Sequence, residues 1–517
     1  MKFRLYPLSI RLKEDIEMKK KMLVLGCGLT LFGFILTGCG GNSAVKKSTN
    51  YDKVTFAYPT FNNIPAEADL NVVEESINKI TREKIGVEVT LMPISIFEYS
   101  SKVSLALQGG EKLDAFESLG NFSTCISTDM AYDITDLIDK CAPETKQLIG
   151  DAWLDACKSK GRLYGIPTYK PIALTPMLIY RKDIAEAAGI DMSKVNSLDD
   201  ITAVLEKVKK AYPNMTPLAP VQTGFLGSLF CIPERDPLCD DIYKPIGVLL
   251  GKELKVKDLY STPEFNHVTE LARYWYQNGL VMKDAATTTS MAAETMSSGN
   301  YFAYIASYSY PEEDTAVSLQ SQMNNFPIGA KTIGDAYLST GDINSLSWMV
   351  ASTSKVPEAT LKFLNLTYTD RDVINLVIYG VEGRDYVKNA DGSVSYPEGQ
   401  DASTVPYTAQ LTCGIFGNFF EMYQMGVANK ASLEWELEQN KHAATSPAMG
   451  FTFDASALKT QYTAVNNVIS QYLPGLLCGS LDPATETSKF VKALNDAGYQ
   501  QILEAKQAQL DAWAKNK

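Results

Sequence analysis

Histidine is almost absent, with only His267 and His442 in 517 residues. Neither sits in a spacing that builds a metal site or a nucleophile–base pair. No G-x-S-x-G, H-E-x-x-H or calcium-loop pattern occurs either. Ser352-Thr353-Ser354-Lys355 reads S-x-x-K, but the K-T-G and S-D-N partners of that motif are missing, and Lys331-Thr332-Ile333 only approaches one. Gly247 to Lys252 lacks the spacing of a phosphate loop and has no Ser or Thr after the lysine. These absences argue for a chain that is not an enzyme and uses no cofactor. A glycosidase stays open, because it needs only two carboxylates across a cleft and 60 acidic residues are available.

Positive charge is scarce beyond the first residues. No basic cluster follows Lys21, and the formal charge is −12. Residues 1–38 hold seven Lys/Arg and three Asp/Glu, so the remainder stands near −16. Such a chain is soluble and unsuited to nucleic acid. The nine cysteines form no C-x-x-C pair, which leaves a zinc site without local support. Setting aside Cys27 and Cys39 leaves seven, an odd number that cannot all pair within one chain. Cys231 and Cys239 could close a small loop, but buried thiols are the simpler expectation.

Long apolar runs are also missing, apart from one. Lys19-Lys20-Lys21 precedes the apolar run Met22–Leu36, which has the flanks and length of a secretory signal. A membrane span needs about 20 apolar residues, and this run is shorter. Met18 is the expected true start. The run ends in Leu36-Thr37-Gly38-Cys39, which resembles the bacterial lipoprotein signal. That resemblance implies removal of residues 1–38, lipid on the Cys39 thiol and attachment to the outer face of the membrane. Residues 39–50, small and polar, then form a flexible tether.

The 479 residues from Cys39 onward exceed one typical core and suggest two lobes. Strand-like runs at 54–58, 87–92 and 113–117 alternate with helical spacing at 66–85 and 97–108. That alternation predicts parallel βαβ units. Further strands are expected at 163–166, 177–181, 301–306 and 345–351. Helices are expected at 198–211 with Ser197 as N-cap, 265–278, 357–366, 370–379, 456–472 and 485–513. No internal repeat appears.

Several segments, in order, resemble the extracellular solute-binding proteins of sugar importers. They are Asp133-Ile134-Thr135-Asp136-Leu137, Gly161-Arg162-Leu163-Tyr164-Gly165-Ile166-Pro167, Leu178-Ile179-Tyr180-Arg181-Lys182-Asp183 and Met296–Ser309. The last third resembles a lipoprotein subgroup with its own C-terminal region, through Tyr379–Tyr386, Gly450-Phe451-Thr452-Phe453-Asp454 and Leu494-Asn495-Asp496-Ala497-Gly498. The resemblance implies an α/β, two-lobed periplasmic-binding-protein-like fold of type II, with a ligand cleft between mainly parallel sheets. It places residues 51–168 with about 349–400 in one lobe, and 169–348 with about 401–517 in the other. It also implies a monomeric receptor that delivers a carbohydrate or oligosaccharide to the transmembrane subunits of an ABC importer. A peptide or other solute receptor, or a sensory or adhesive protein, fits the same scaffold.

Ligands of open α/β sheets bind beyond the carboxyl ends of strands. Sugars need amides and carboxylates for their hydroxyls and aromatic planes for their apolar faces. The candidates are therefore Asn62 and Asn63 after the first strand, Asn121 after the third, and Tyr169 after the lobe crossing. Tyr308 and Tyr310 end a second-lobe strand, and Trp348 lies on another crossing. Glu382 and Arg384 occupy a Gly-rich turn. Each has a structural alternative: the asparagines as turn formers, the aromatics as core, and Glu382 with Arg384 as an ion pair that fixes the turn.

Overall fold

The computed structural model describes residues 51–61, 64–409, 414–426 and 429–515. The signal, the tether, Cys39, Asn62, Asn63 and Cys413 lie outside them. Residues 51–517 form one compact unit that carries every element described below.

Nine strands build its two main sheets: β1 (Asp52–Thr60), β2 (Val87–Ser95), β3 (Ala115–Glu117), β4 (Ile166–Pro167), β5 (Thr175–Arg181), β6 (Thr216–Leu218), β7 (Tyr301–Tyr308), β8 (Ile328–Thr332) and β9 (Ser347–Val350). The first sheet has the order β2-β1-β3-β9-β4 and the second β8-β5-β7-β6. In the first sheet β1 runs parallel to β2 and β3, while β9 is antiparallel to both β3 and β4. In the second, β5 is antiparallel to β7 and β8, and β6 is parallel to β7.

β1 reads DKVTFAYPT, and Val54, Phe56, Ala57 and Tyr58 are all buried. Burial on both faces is why the run is continuously apolar instead of alternating. The helix Glu67–Lys84 crosses back from β1 to β2, burying Val73 and Ile77 against the sheet. Ser197 does start the helix Leu198–Ala211, and the Asp200 carboxylate accepts its backbone N–H at 3.0 Å. The expected single helix 485–513 is two helices, Pro483–Asp496 and Tyr499–Ala514. Gly498 at φ 96° breaks it, a left-handed conformation that glycine adopts without strain.

Two large cores follow the sheets. The first gathers Val54, Phe56, Val89, Phe116, Trp348, Phe363 and Ile374, and also takes in Tyr407, Ala409, Phe416 and Met422. The second gathers Leu178, Leu205, Phe265, Trp275 and Ile305 with a large C-terminal contribution that includes Phe451, Ile469, Leu476, Phe490 and Ile502. The described cysteines Cys125, Cys141, Cys157, Cys231, Cys239 and Cys478 are free thiols, so the Cys231–Cys239 loop is not closed.

The C-terminal helices also carry a buried ion pair. Lys506 Nζ lies 2.5 Å from Asp240 Oδ2, with side-chain exposures of 0% and 6%. Asp240 further accepts the Tyr462 hydroxyl and the Ile246 N–H. Removing one partner strands a buried charge, so Lys506→Met is expected to cost about 3–5 kcal/mol in urea denaturation. Adding Asp240→Asn to that variant should recover part of the loss, since the amide still accepts without carrying charge.

Candidate functional site

Strand direction locates the site. β1 to β4 all point one way, so their carboxyl ends share an edge with the amino end of β9. The chain leaves that edge at Pro167 and enters the second sheet at Thr175. There the amino end of β5 lies level with the carboxyl end of β7, Thr175 pairing with Tyr308. The carboxyl ends of β6 and β8 share this second edge. The two sheets therefore turn their strand-end loops toward one another across the crossing, which is where such sheets take ligands. Two shallow surface depressions lie elsewhere. One is bounded by Tyr260, Asn266, Pro483 and Asn495, and the other by Lys53, Lys112 and Lys355 at the amino ends of the first-sheet strands.

On the first edge, β1 runs into Phe61 and β2 into Phe97, which are 38% and 75% exposed. Thr60 pairs with Ser95, so the two exits are level, and the rings meet at 6.5 Å and 64°. Asn121 is exposed at the start of the helix Phe122–Ser127 and donates to Leu119 O at 3.0 Å. Its amide thus shapes the turn while staying at the rim. Phe97 was not singled out from sequence; an aromatic residue two positions beyond a strand end is the signal that would have found it.

Glu117 is the other residue the sequence reading passed over. It ends β3 at 2% exposure, and its carboxylate accepts the Leu119 N–H at 2.7 Å. That bond holds Leu119 in the left-handed region at φ 42°, an uncommon conformation for a branched side chain. The same turn is tied to the second crossing, with Ser118 N–H donating to Ser347 O and Ser347 N–H donating to Ser118 Oγ. Burial pushes the Glu117 carboxyl up to about 8, although the Leu119 and Ser347 backbone and the Lys170 charge oppose the rise.

Tyr169 lies on the first crossing, half-buried. Its ring packs between Trp153 at 5.6 Å and Phe420 at 5.4 Å. Its backbone is laddered to residues 417–419, with N–H donating to Gly417 O and Phe419 N–H donating to its carbonyl. The helix Lys430–His442 braces the same crossing: Asn440 Oδ1 accepts from Ile172 and Ala173, and its amide donates to Lys170 O. One turn earlier on that face, Glu436 is buried and takes the Ser432 hydroxyl at 3.1 Å. Among the described residues its second oxygen has no hydrogen-bond partner. Burial raises this carboxyl to about 7, and Asp314 pushes it the same way.

On the second edge Tyr308 is half-buried, its hydroxyl 2.8 Å from that of Tyr304, and Tyr310 and Leu174 are exposed. Trp348 is not on a surface. It is 1% exposed, stacked on Phe56 at 4.4 Å and near Phe416 at 6.0 Å, and its indole N–H donates to Ile415 O. With both faces covered it forms the floor beneath the edge and has no plane left for a ring. Glu382 and Arg384 are also not partners. Glu382 pairs with Lys388 at 2.8 Å, while Arg384 bonds Asp69, in the first turn of the helix after β1, and lies 3.6 Å from Asp385. The turn is held by these ion pairs and not by the expected pair between Glu382 and Arg384. Among the described residues no group of three His, Cys, Asp or Glu is placed to hold a metal, and no helix is long and apolar enough to cross a membrane.

Residues 75–377, more than half of the chain, match the family model described as bacterial extracellular solute-binding protein. The chain belongs to that family. These solute-binding proteins act outside the cytoplasm and bind their solute without transforming it, in keeping with the missing catalytic motifs. Residues 447–515 match a second model, a domain of unknown function. A carbohydrate ABC transporter substrate-binding protein of Streptococcus pneumoniae is 24% identical over 93% of this chain and 96% of its own length. An arabinooligosaccharide-binding protein of Bacillus subtilis is 26% identical over 40% of this chain and 45% of its own. Among solved structures, the N-glycan transport solute-binding protein of S. pneumoniae covers 90% of this chain and 99% of its own at 21% identity and a TM-score of 0.74. Its complex with Man5GlcNAc gives 0.62. The fold is thus the two-lobed type II architecture of these binding proteins.

Glu117 and Glu436 make stability depend on pH. Both folded carboxyls sit above the ordinary 4.5, so the folded state keeps protons that the unfolded chain has lost. Their stabilising effect is complete below about pH 4.5 and disappears as pH rises through about 7 and then about 8. Melting temperature should therefore fall from pH 5 to 8, each group contributing at most about 1.4 kcal/mol per pH unit. Glu436→Gln should flatten the lower part of that decline.

Proposed function

We propose that this solute-binding protein is the lipid-anchored receptor of an ABC importer and that its cargo is a carbohydrate, most suitably an oligosaccharide. The observation that carries the reading is the pair of facing strand-end edges, one bearing Phe61, Phe97 and Asn121, the other Tyr308 and Tyr310. Aromatic planes take the apolar face of a sugar ring, and amides take its hydroxyl rows. In the first sheet the outermost strand is β2, so Phe97 marks the end of the cleft remote from β4 and the hinge. Strands lie about 4.8 Å apart, so the four steps from β2 to β4 span roughly 19 Å, room for several rings in a row. Asn62 and Asn63, outside the described residues, stay candidates because they follow β1 in the sequence. The saccharide ligands of the relatives point to the same class.

On this reading the lobes divide near residues 168 and 348, where the chain crosses between sheets. The third crossing comes after Met422, later than about 400, because Tyr407, Ala409, Ile415, Phe416 and Met422 pack in the first core. Ligand touching both edges stabilises a closed form by its differential affinity for closed over open. The closed receptor then presents the solute to two transmembrane permease subunits. Lipid on Cys39 confines the receptor to the membrane surface, which raises its effective concentration at the permease. Cys39→Ser should release the protein into the medium; retention at the membrane would refute the anchor.

A thermal-shift screen of residues 51–517 tests the cargo, with monosaccharides, arabino-oligosaccharides, Man5GlcNAc and short peptides as probes. A dose-dependent rise with an intact oligosaccharide is expected, since a ligand that binds only the folded state raises the melting temperature. A rise with peptides alone would overturn the sugar reading. Phe97→Ala should weaken the responding oligosaccharide by roughly three- to tenfold and leave a monosaccharide unaffected.

A further inference from the structure

The C-terminal region that matches a domain of unknown function begins at the joint between the lobes, not on an outer surface. A small apolar cluster separate from the two main cores consists of Ala156, Ile172, Ala173, Leu338, Ile343 and Met449. Its members come from four parts of the chain. Ala156 precedes Cys157 of the first core, Ile172 and Ala173 lie on the first crossing, and Leu338 and Ile343 lie on the second. Of these six, Met449 alone comes from the C-terminal region, and it is buried at 8% exposure.

The residues around Met449 reach both sides. Toward the second crossing, Ala444 and Thr445 pair in parallel with Tyr337 and Leu338. Thr340 Oγ1 donates to Ala448 O at 3.1 Å and accepts the Gly450 N–H at 2.9 Å. Toward the first lobe, the Thr452 hydroxyl donates to Lys158 O at 3.3 Å. Gly450, at φ 95°, lies so close to Asp155 that an added Cβ would stand 3.2 Å from its carbonyl oxygen. Phe451 and Phe453, between and just beyond these contacts, are anchored in the second core, with Phe451 edge-on to Trp513 at 6.0 Å. A segment fixed to one lobe by two phenylalanines thus touches the other lobe through the Thr452 hydrogen bond, the approach of Gly450 to Asp155 and the cluster that Met449 shares with Ala156.

We propose that residues 447–453 form a pivot brace, and that the C-terminal region serves to set how far the two lobes stand open. Rotation of the first lobe about the crossings moves Asp155 and Lys158 against a segment that stays with the second lobe. The contacts of Thr452 and Gly450 belong to the described arrangement and are lost or rebuilt when the lobes turn. They therefore bias the lobe equilibrium, and Met449 is the packed point about which the turn occurs. Taken with the described arrangement as the open one, weakening them lowers the open population and raises apparent affinity, because the measured Kd is the intrinsic one divided by the competent fraction. The inference rests on the two-lobe closure argued above.

The test uses residues 51–517 and the variants Thr452→Val and Met449→Ala. Radius of gyration is measured by small-angle X-ray scattering without ligand and with saturating arabino-oligosaccharide or Man5GlcNAc, and Kd by calorimetry. Thr452→Val is expected to melt like the parent, to be more compact without ligand, and to bind the same probe three- to tenfold more tightly. Met449→Ala should shift compactness the same way and broaden the ligand-free distribution. If the parent compacts with ligand while Thr452→Val has its ligand-free dimensions and Kd, the brace is overturned although the receptor reading stands. If the parent binds neither probe or never compacts, the closure reading fails and takes the brace with it.

Discussion

Pro167 leaves the first sheet from the edge at which β1, β2 and β3 end, and within eight residues Thr175 opens the second sheet. That short crossing constrains everything at the site. Because β5 enters from the joint, its antiparallel neighbours β7 and β8 must return to it, and β6 follows β7. The loops that carry Tyr308 and Tyr310 are thereby brought opposite those that carry Phe61, Phe97 and Asn121. Exposed backbone on such a crossing would be free to bend anywhere. Here it is ladder-bonded at Tyr169 and capped by Asn440 at Lys170, Ile172 and Ala173, so bending is confined to what those bonds allow.

Much of this was legible in sequence because buried parallel strands cannot hide. VTFAY in β1 is apolar on both faces, the outer strand β2 alternates, and the helix between them shows a single apolar stripe. The edge proposed for the ligand followed from strand direction alone. Side-chain fate was less legible. Tyr308 at a strand end and Trp348 on a crossing both read as aromatics beside the cleft, but Trp348 is stacked between Phe56 and Phe416 while Tyr308 stays half-open. The difference lies in which distant segment covers each, and the cover over Trp348 comes from residues 415 and 416, nearly seventy positions away. Glu117 was invisible for the opposite reason. A carboxylate closing an apolar run looks like the polar end of a strand, and only the fold shows it turned inward to hold Leu119.

The polar face of the helix Lys430–His442 extends that argument to mechanics. Ser432, Glu436 and Asn440 are buried at intervals of four, a spacing that would read as an amphipathic core stripe if the residues were apolar. Hydrophobic residues there would pack the crossing but could not satisfy the backbone groups of Lys170, Ile172 and Ala173, which leave the first sheet without a strand partner. Asn440 does so with one side chain that both donates and accepts. An amide carries no charge, so it performs this role at any pH, whereas Glu436, one turn away, is burdened by burial.

The same logic governs the brace. A binding protein must move between two arrangements of similar free energy, so its joint cannot be sealed by a large core. The joint here has a six-residue apolar cluster, the Thr452 hydroxyl contact, a bond from the Asn344 amide to Ala156 O and a glycine whose missing side chain admits Asp155. Each is worth little beside the two lobe cores, and a ligand that bridges the cleft gains enough to overcome them. The C-terminal helices would contribute nothing to such a balance if they were merely appended. They contribute because Phe451 and Phe453, buried in the second core, hold the brace steady while the first lobe turns against it.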